Sequence, residues 1–393
     1  MQERNWRDIF RHVIIVLVIF SVLVTGVVGA FALANIDHVG RLIRVLQLVH
    51  SEYIDKVTTQ QLVDGATKGI VDSLGDPYSN YLDVKENQQL FEQIEGKFGG
   101  VGIVLSLKDP KKLTVLRPIK NTPAFRAGIQ PGDIVLKIDN EDATTIDQEK
   151  AVSLMRGKPG TKVTLVLYRE SQKKNVTVTL TREDIVVPTV NGQALPGNPD
   201  LAYVEISQFS TDTGKELGEV LKSMDMKKYK GLILDLRFNH GGELGAAVQV
   251  ASYFVPSGPV VYIVDKQGNV ETKPATGTYL GVPLVVIVNE ESASAAEIVS
   301  GAIKDKTTGT LVGMKTFGKG VVQTIFPLDG GTSVKLTTAK YLTPNKLDIN
   351  KRGIEPDVQV EIKKDQEITI SPTDTNFDPQ LSKAVQVLRG KIK

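Results

Sequence analysis

Between Pro283 and Gln323 the chain reads PLVVIVNEESASAAEIVSGAIKDKTTGTLVGMKTFGKGVVQ, and two residue types in it can do nucleophilic chemistry. An apolar run of strand character delivers Ser292 and Ser294 onto a helix, and Lys319 follows between two glycines. The chain has no cysteine and only four histidines, His12, His38, His50 and His240, so a thiol nucleophile is excluded. Ser294-Ala295-Ala296-Glu297 is also a capping box, which a strand-to-helix junction uses whatever the protein does. Residues 292 to 296 are all small, however, and leave room for another molecule at the backbone. A helix amino terminus adds free N–H groups and partial positive charge, as an oxyanion site requires.

A serine reacts only when a base takes its proton. His240 is the one histidine of the carboxyl-terminal half and, with Asp235 near it in sequence, allows a Ser/His/Asp arrangement. Lys319 is the competing base, although a lysine between glycines is more often a solvated turn residue. A lysine of ordinary pKa, about 10.4, is protonated and cannot act. Burial must lower it by about three units, which corresponds to roughly 4 kcal/mol. The strand expected at VVQTIF puts residues 319, 321 and 323 on one face, with Gln323 beside Lys319 to orient the amine.

Two glycine-rich segments can supply backbone donors. GLILDLRFNHGG, Gly231 to Gly242, ends an apolar strand in Asp235 and Arg237 and opens the next helix with Gly241-Gly242, which fits either a tight turn or a second oxyanion donor. FGGVGI, Phe98 to Ile103, fits a nest of successive amides for an anion such as a terminal carboxylate.

The elements that must carry these residues follow the change of period along the chain. Residues 13 to 34 hold no charge, and 34 − 13 + 1 = 22 residues are enough to cross about 30 Å of hydrocarbon. Arg4, Arg7 and Arg11 precede them, so an uncleaved anchor with the rest of the chain outside the cytoplasm is expected. The rival is a signal peptide cleaved at Ala30-Phe31-Ala32 or Ala32-Leu33-Ala34. Asp37 to Leu74 is expected to be helical, and Leu74 to Asp83 breaks the pattern. Lys85 to Ile94 is a helix-compatible connector. Phe98 to Thr181 reads as short strands with one helix at Asp147 to Met155. From Leu201 apolar strands alternate with helices, the pattern of an α/β layer with buried strands. A polar linker and a short amphipathic helix close the chain. The net charge of +2, with spread Lys and Arg, argues against nucleic acid. The shortage of His and Cys argues against a metal centre.

Taken in order, these segments resemble a known family. NTPAFRAGIQPGDIVLKID (Asn121 to Asp139) and FGGVGI are similar to a PDZ domain and its carboxylate-binding loop. DPYSNYL, GLILDLRFNHGG, NEESASAAEIVSGAIKD, TFGKGVVQ and YLTPNKLDINKRGIEPDV resemble successive blocks of the carboxyl-terminal processing proteases, from about Val49 to Val360. The resemblance implies α/β and β modules: a membrane segment at 1–35, a helical segment at 36–97, a PDZ domain at 98–181, a crotonase/ClpP-like peptidase core at 182–365 and a tail helix at 366–393. It implies Ser294 as nucleophile, Lys319 as general base at the family spacing of 319 − 294 = 25, and Gln323 as orienter. The oxyanion hole would be the N–H groups of Ala295 and of Gly241 or Gly242. Gly100, Val101, Gly102 and Ile103 would bind the peptide, and Arg156 would couple that binding to activation. No cofactor is implied; protein carboxyl termini are the expected substrates and a homodimer the expected assembly. His240 stands where the family often has proline, which keeps a histidine contribution open. Two other classes are weighed: an inactive PDZ scaffold, against which intact Ser294, Lys319 and Gln323 stand, and a crotonase-like acyl enzyme, which the PDZ and export signals disfavour.

Overall fold

The computed structural model describes residues 10–22, 25–26, 36–106, 112–277, 279–362 and 378–392. Residues 1–75 and 76–393 form two units. In the first, helix α1 covers residues 10–22. Residues 23–24 and 27–34 of the expected anchor lie outside the described residues, among which no helix is long and apolar enough to cross a membrane. The helix expected from Asp37 to Leu74 is in fact two, α2 (Ile36–Glu52) and α3 (Thr59–Asp72). A capping box causes the restart: the Thr58 hydroxyl accepts from the Gln61 N–H, and the Gln61 side chain accepts from the Thr58 N–H.

The second unit opens with β1 (Asn80–Leu82) and α4 (Val84–Glu95). An Asp83–Glu86 capping box starts α4, and Gly96, at φ +67°, ends it. A module of short strands follows: β2 (Lys97–Gly100), β3 (Ile103–Leu105), β4 (Val115–Pro118), α5 (Pro123–Arg126), β5 (Ile134–Ile138), β6 (Glu141–Asp142), α6 (Gln148–Met155), β7 (Lys162–Arg169), β8 (Lys174–Thr181) and β9 (Glu183–Val186). The period of two along β7 points Val163, Leu165 and Leu167 inward. There they meet Val135, Ile138, Ala151 and Met155 in a core of the module's own.

The remaining elements are β10 (Val190–Leu195), β11 (Asn198–Ile206), α7 (Thr213–Met224), β12 (Gly231–Asp235), α8 (Leu244–Ser252), β13 (Pro259–Asp265), β14 (Val270–Pro274), β15 (Leu284–Val288), α9 (Ala295–Asp305), β16 (Thr310–Gly313), β17 (Val321–Pro327), β18 (Ser333–Leu342), β19 (Val358–Gln359) and α10 (Pro379–Lys391). Six of them form a sheet in the order β10-β11-β12-β15-β16-β19, parallel except for β10. Every residue of β12 and β15 is buried, as their unbroken apolar runs require of strands covered on both faces. Leu232 and Leu234 face the core shared with α8 and α9. Ile233, Val285 and Ile287 face Leu381, Ala384 and Leu388 of α10. The terminal helix is thus the third layer of the α/β core. In a second, antiparallel sheet, β17 runs along one edge of β18 while β1 and β13 share the other.

Burial of this third layer has a measurable size. Leu388→Ala is expected to destabilise the protein by about 2–4 kcal/mol in urea unfolding, because it opens a cavity between α10 and the sheet.

Candidate active site

The parallel strands β12 and β15 end side by side, and the loops that leave them build the site. After β15 the chain turns through Asn289 and Ser292. The Ser292 hydroxyl donates to the Leu236 carbonyl at 2.8 Å and accepts from the Asn289 N–H at 2.9 Å, and the residue is fully buried. It therefore stitches the two loops together. Ser294 faces the cavity instead, with φ 54° and ψ −112°, a backbone conformation strained for a residue bearing Cβ. A serine on a sharp strand-to-helix turn presents its hydroxyl clear of the helix that follows.

Gly241 packs directly beneath this turn. A Cβ at Gly241 would lie 2.7 Å from the Ala293 carbonyl oxygen and 2.8 Å from Ser294 Cβ, and one at Gly242 would overlap the Phe209 carbonyl. Only glycines, at φ +96° and +142°, allow this approach. The Gly241 N–H is spent on Asn239 Oδ1 at 2.8 Å, and Asn239 is itself held by the Ile206 carbonyl at 2.7 Å. The N–H groups of Gly242 and Ala295 have no acceptor among the described residues.

A cavity of about 500 Å³ brings the sequence-derived residues together: Gly241, Gly242, Ser294, Ala295, Lys319 and Gln323 all line it. Its walls are mixed: Leu90, Ile94, Phe209, Leu244, Ile298 and Ile325 form the apolar part, and Gln93, Ser207, Gln208 and Glu243 are among the polar residues. Burial pushes the Lys319 amine below the ordinary lysine value, and the Lys335 ammonium pushes it the same way, against Asp76 and Glu297. Lys319 Nζ lies 4.9 Å from the centre of the Tyr78 ring and makes no hydrogen bond to Ser294 among the described residues. Lys319 stands two residues before β17, and Lys319, Val321 and Gln323 all line this cavity; the ladder shifts register where Val322 pairs with Ala339 and Gln323 with Thr337 of β18. The Gln323 amide donates to Thr337 Oγ1 at 3.3 Å. His240 stands at the rim, its side chain 75 % exposed and 3.4 Å from Glu291.

Sequence reasoning took Glu297 only as a helix cap, and the structure gives it a larger task. The carboxylate is fully buried and accepts from the Ser294 N–H (2.9 Å), the Thr316 hydroxyl (2.5 Å), the Gly318 N–H (2.8 Å) and the Lys319 N–H (2.9 Å). Burial pushes its pKa up, and those four donors pull the other way. Tyr78 and Asp76 were also missed, though DPYSNYL was noted. Asp76 accepts from the Tyr78 N–H and the Ser79 hydroxyl, and Ser79 accepts from the Thr337 N–H, which staples this loop to β18. Tyr341, on β18, donates to the Ser294 carbonyl at 3.1 Å.

A second cavity, about 880 Å³, lies between β3 and α6 in the strand module, lined by Gly100, Val101, Gly102, Ile103 and Arg156. Among the described residues the Val101 and Gly102 N–H groups have no acceptor and β3 pairs only with β4. Arg156 caps α6, stacks 4.3 Å over the Phe98 ring and pairs with Glu92 of α4 at 3.1 Å.

A strained serine turn on an α/β core, joined to a strand module with a cavity of its own, fits a PDZ-bearing serine-type peptidase. Residues 200–360 match Peptidase family S41, residues 99–180 a PDZ domain, and residues 31–86 the activating protease CtpB N-terminal domain. The carboxy-terminal processing protease CtpA of Bacillus subtilis (strain 168) is 35% identical over 400 residues, covering 95% of this chain and 85% of that protein. The carboxyl-terminal-processing protease of Synechocystis sp. (strain PCC 6803) is 35% identical over 83% of this chain and 77% of its own length. The solved photosystem II D1 C-terminal processing protease is 29% identical, with a TM-score of 0.49 over 87% of this chain and 90% of that one. The chain belongs to the carboxyl-terminal processing proteases of peptidase family S41.

Glu297→Gln turns an amide N–H₂ toward donors that now meet carboxylate oxygen. Each donor left unsatisfied costs about 1–3 kcal/mol. A lowered melting temperature and a fall in kcat of roughly 10- to 100-fold are expected from thermal melts and peptide hydrolysis.

Proposed function

We propose that the protein cleaves peptide bonds with a Ser294–Lys319 dyad. Neutral Lys319 takes the Ser294 proton as Oγ attacks the scissile carbonyl, and the tetrahedral oxyanion is held by the N–H groups of Gly242 and Ala295. Lysine then returns the proton to the leaving amine, and water hydrolyses the acyl-enzyme. The observation that carries this is the cavity shared by Ser294, Lys319 and the two unspent N–H groups. The hydrogen bond between amine and hydroxyl forms as substrate fills that cavity. Gln323, on the same wall, is the proposed orienter.

We further propose that the PDZ groove captures substrate carboxyl termini, the terminal carboxylate lying on the amides of Val101 and Gly102 and the peptide pairing with the open edge of β3. Arg156 supports a link between groove and catalysis, because its partner Glu92 shares α4 with Leu90 and Ile94 of the catalytic cavity. The uncharged stretch of residues 13–34 after Arg4, Arg7 and Arg11 supports a tether that leaves the peptidase outside the cytoplasm. A homodimer, as the resemblance implies, gains support from the apolar residues that α2 exposes, such as Leu42, Val45 and Leu48.

Digestion of an unfolded protein with an apolar carboxyl terminus tests the dyad. Ser294→Ala and Lys319→Ala are each expected to lose about 10³-fold or more in kcat, and His240→Ala to keep most activity. Activity surviving Lys319→Ala, with loss only in His240→Ala, would move the base to histidine. Because Lys319 works only when deprotonated, kcat/KM should rise with pH through a lysine pKa that burial has lowered, and fall off on the acid side.

A further inference from the structure

The proposed reaction leaves one cation of the catalytic cavity without a task. Lys335 lies on β18 opposite Ile325 of β17, and its side chain lines the same cavity as Ser294 and Lys319. Residues directly opposite in an antiparallel pair share a face. Lys335 therefore stands on the face that also carries Ile325, Thr337 and Gln323. It is half-buried, and no carboxylate lies within ion-pair distance of it among the described residues. Lys340, on the same strand, is by contrast paired with Asp348 at 3.4 Å. A half-buried ammonium without a paired carboxylate is unfavourable for folding.

We propose that Lys335 is a positioning residue for the general base, a like charge on β18 that acts on the Lys319 amine across the cavity. The inference rests on Lys319 being the base. The groups around Lys319 are Asp76 and Tyr78 from the segment before β1, Glu297 from α9, and Lys335 and Tyr341 from β18; His240, beside Glu291, and Glu243, whose carboxylate accepts from the Gly245 and Ala246 N–H groups, line the same cavity. Asp76 and Glu297 favour the ammonium form, and so does the face of the Tyr78 ring. Lys335 is the one charge in that set that opposes them, alongside burial. Two lysines in one low-dielectric cavity titrate as a coupled pair, and the first proton leaves at a lower pH than from either alone. Lysine bases elsewhere in chemistry of this kind are activated by desolvation or by a second cation. Here the fold supplies both, the first from the cavity walls and the second from β18.

The test is the pH profile of kcat/KM on one peptide substrate for the full chain and for Lys335→Arg, Lys335→Met and Lys335→Glu, with Lys319→Ala alongside. Lys335→Arg should leave the acid limb where it is. Lys335→Met should move that limb to higher pH by about half a unit or more, so that activity near neutral pH drops about threefold and recovers at alkaline pH. Lys335→Glu should move it further. An unmoved limb in Lys335→Met, with Lys319→Ala inactive, overturns the role of Lys335 and leaves the dyad standing. So does an equal loss at every pH in both the Met and Arg variants, which marks a purely structural lysine. Activity in Lys319→Ala instead removes the base itself.

Discussion

The structure depends on one buried carboxylate. Glu297 sits on the first turn of α9 and binds, through two oxygens, the backbone N–H groups of Ser294, Gly318 and Lys319 and the hydroxyl of Thr316. Its four partners come from both sides of the cavity, 319 − 294 = 25 residues apart along the chain. A charge buried this deeply is tolerated only because four donors converge on it. The same donors could not stay ordered without it. The site is therefore held by a contact that touches no reacting atom, and the reactive side chains remain free to move. Glycines on either side of Lys319 make the fit possible, since a Cβ on Gly318 would come within 2.7 Å of the Gly353 nitrogen and one on Gly320 within 2.6 Å of the Asn350 nitrogen.

Behind the oxyanion loop lies a second charged cluster. Arg237, just past β12, is fully buried, bonds Asp235 at 2.6 and 3.0 Å and pairs with Asp378 at 2.7 Å. The Tyr203 hydroxyl donates to Asp235 at 2.7 Å, and Gln380 accepts from Arg237 at 3.3 Å. Asp378 and Gln380 open α10, so the end of the chain closes the network that anchors the strand leading into Asn239, Gly241 and Gly242. Breaking such a buried pair leaves an uncompensated charge, which is why clusters of this kind fix one loop conformation more than they add net stability. The terminal helix thus serves the site from the far face of the sheet.

Much of this was legible along the chain. Periods of two and of three to four residues located the strand module, the α/β layers and the helix after Ser294, because burial on one face or both imposes those periods. Double glycine, the small-residue turn and the glycine-flanked lysine marked the candidate site, because close backbone approach tolerates little else. The break at 53–58 between α2 and α3 was missed, since the apolar spacing continues across it and only the Thr58–Gln61 capping box marks the restart. The irregularity at Thr338 of β18 was invisible for a similar reason: an extra residue in a ladder changes pairing without changing composition.

The sequence by itself determined the residue types available for chemistry, with serine and lysine present, cysteine absent and one histidine near the site, together with the elements that carry them. The tertiary structure decided which of them meet. It buried Ser292 as a stitch between loops and turned Ser294 into the cavity, and it spent the Gly241 N–H on Asn239 while leaving that of Gly242 free. It also set Lys335 and Tyr78 against Lys319, and gave Glu297 its four partners. Residues far apart along the chain share a cavity only after the sheets assemble, and desolvation, like-charge repulsion and hydrogen-bond competition exist only once they do.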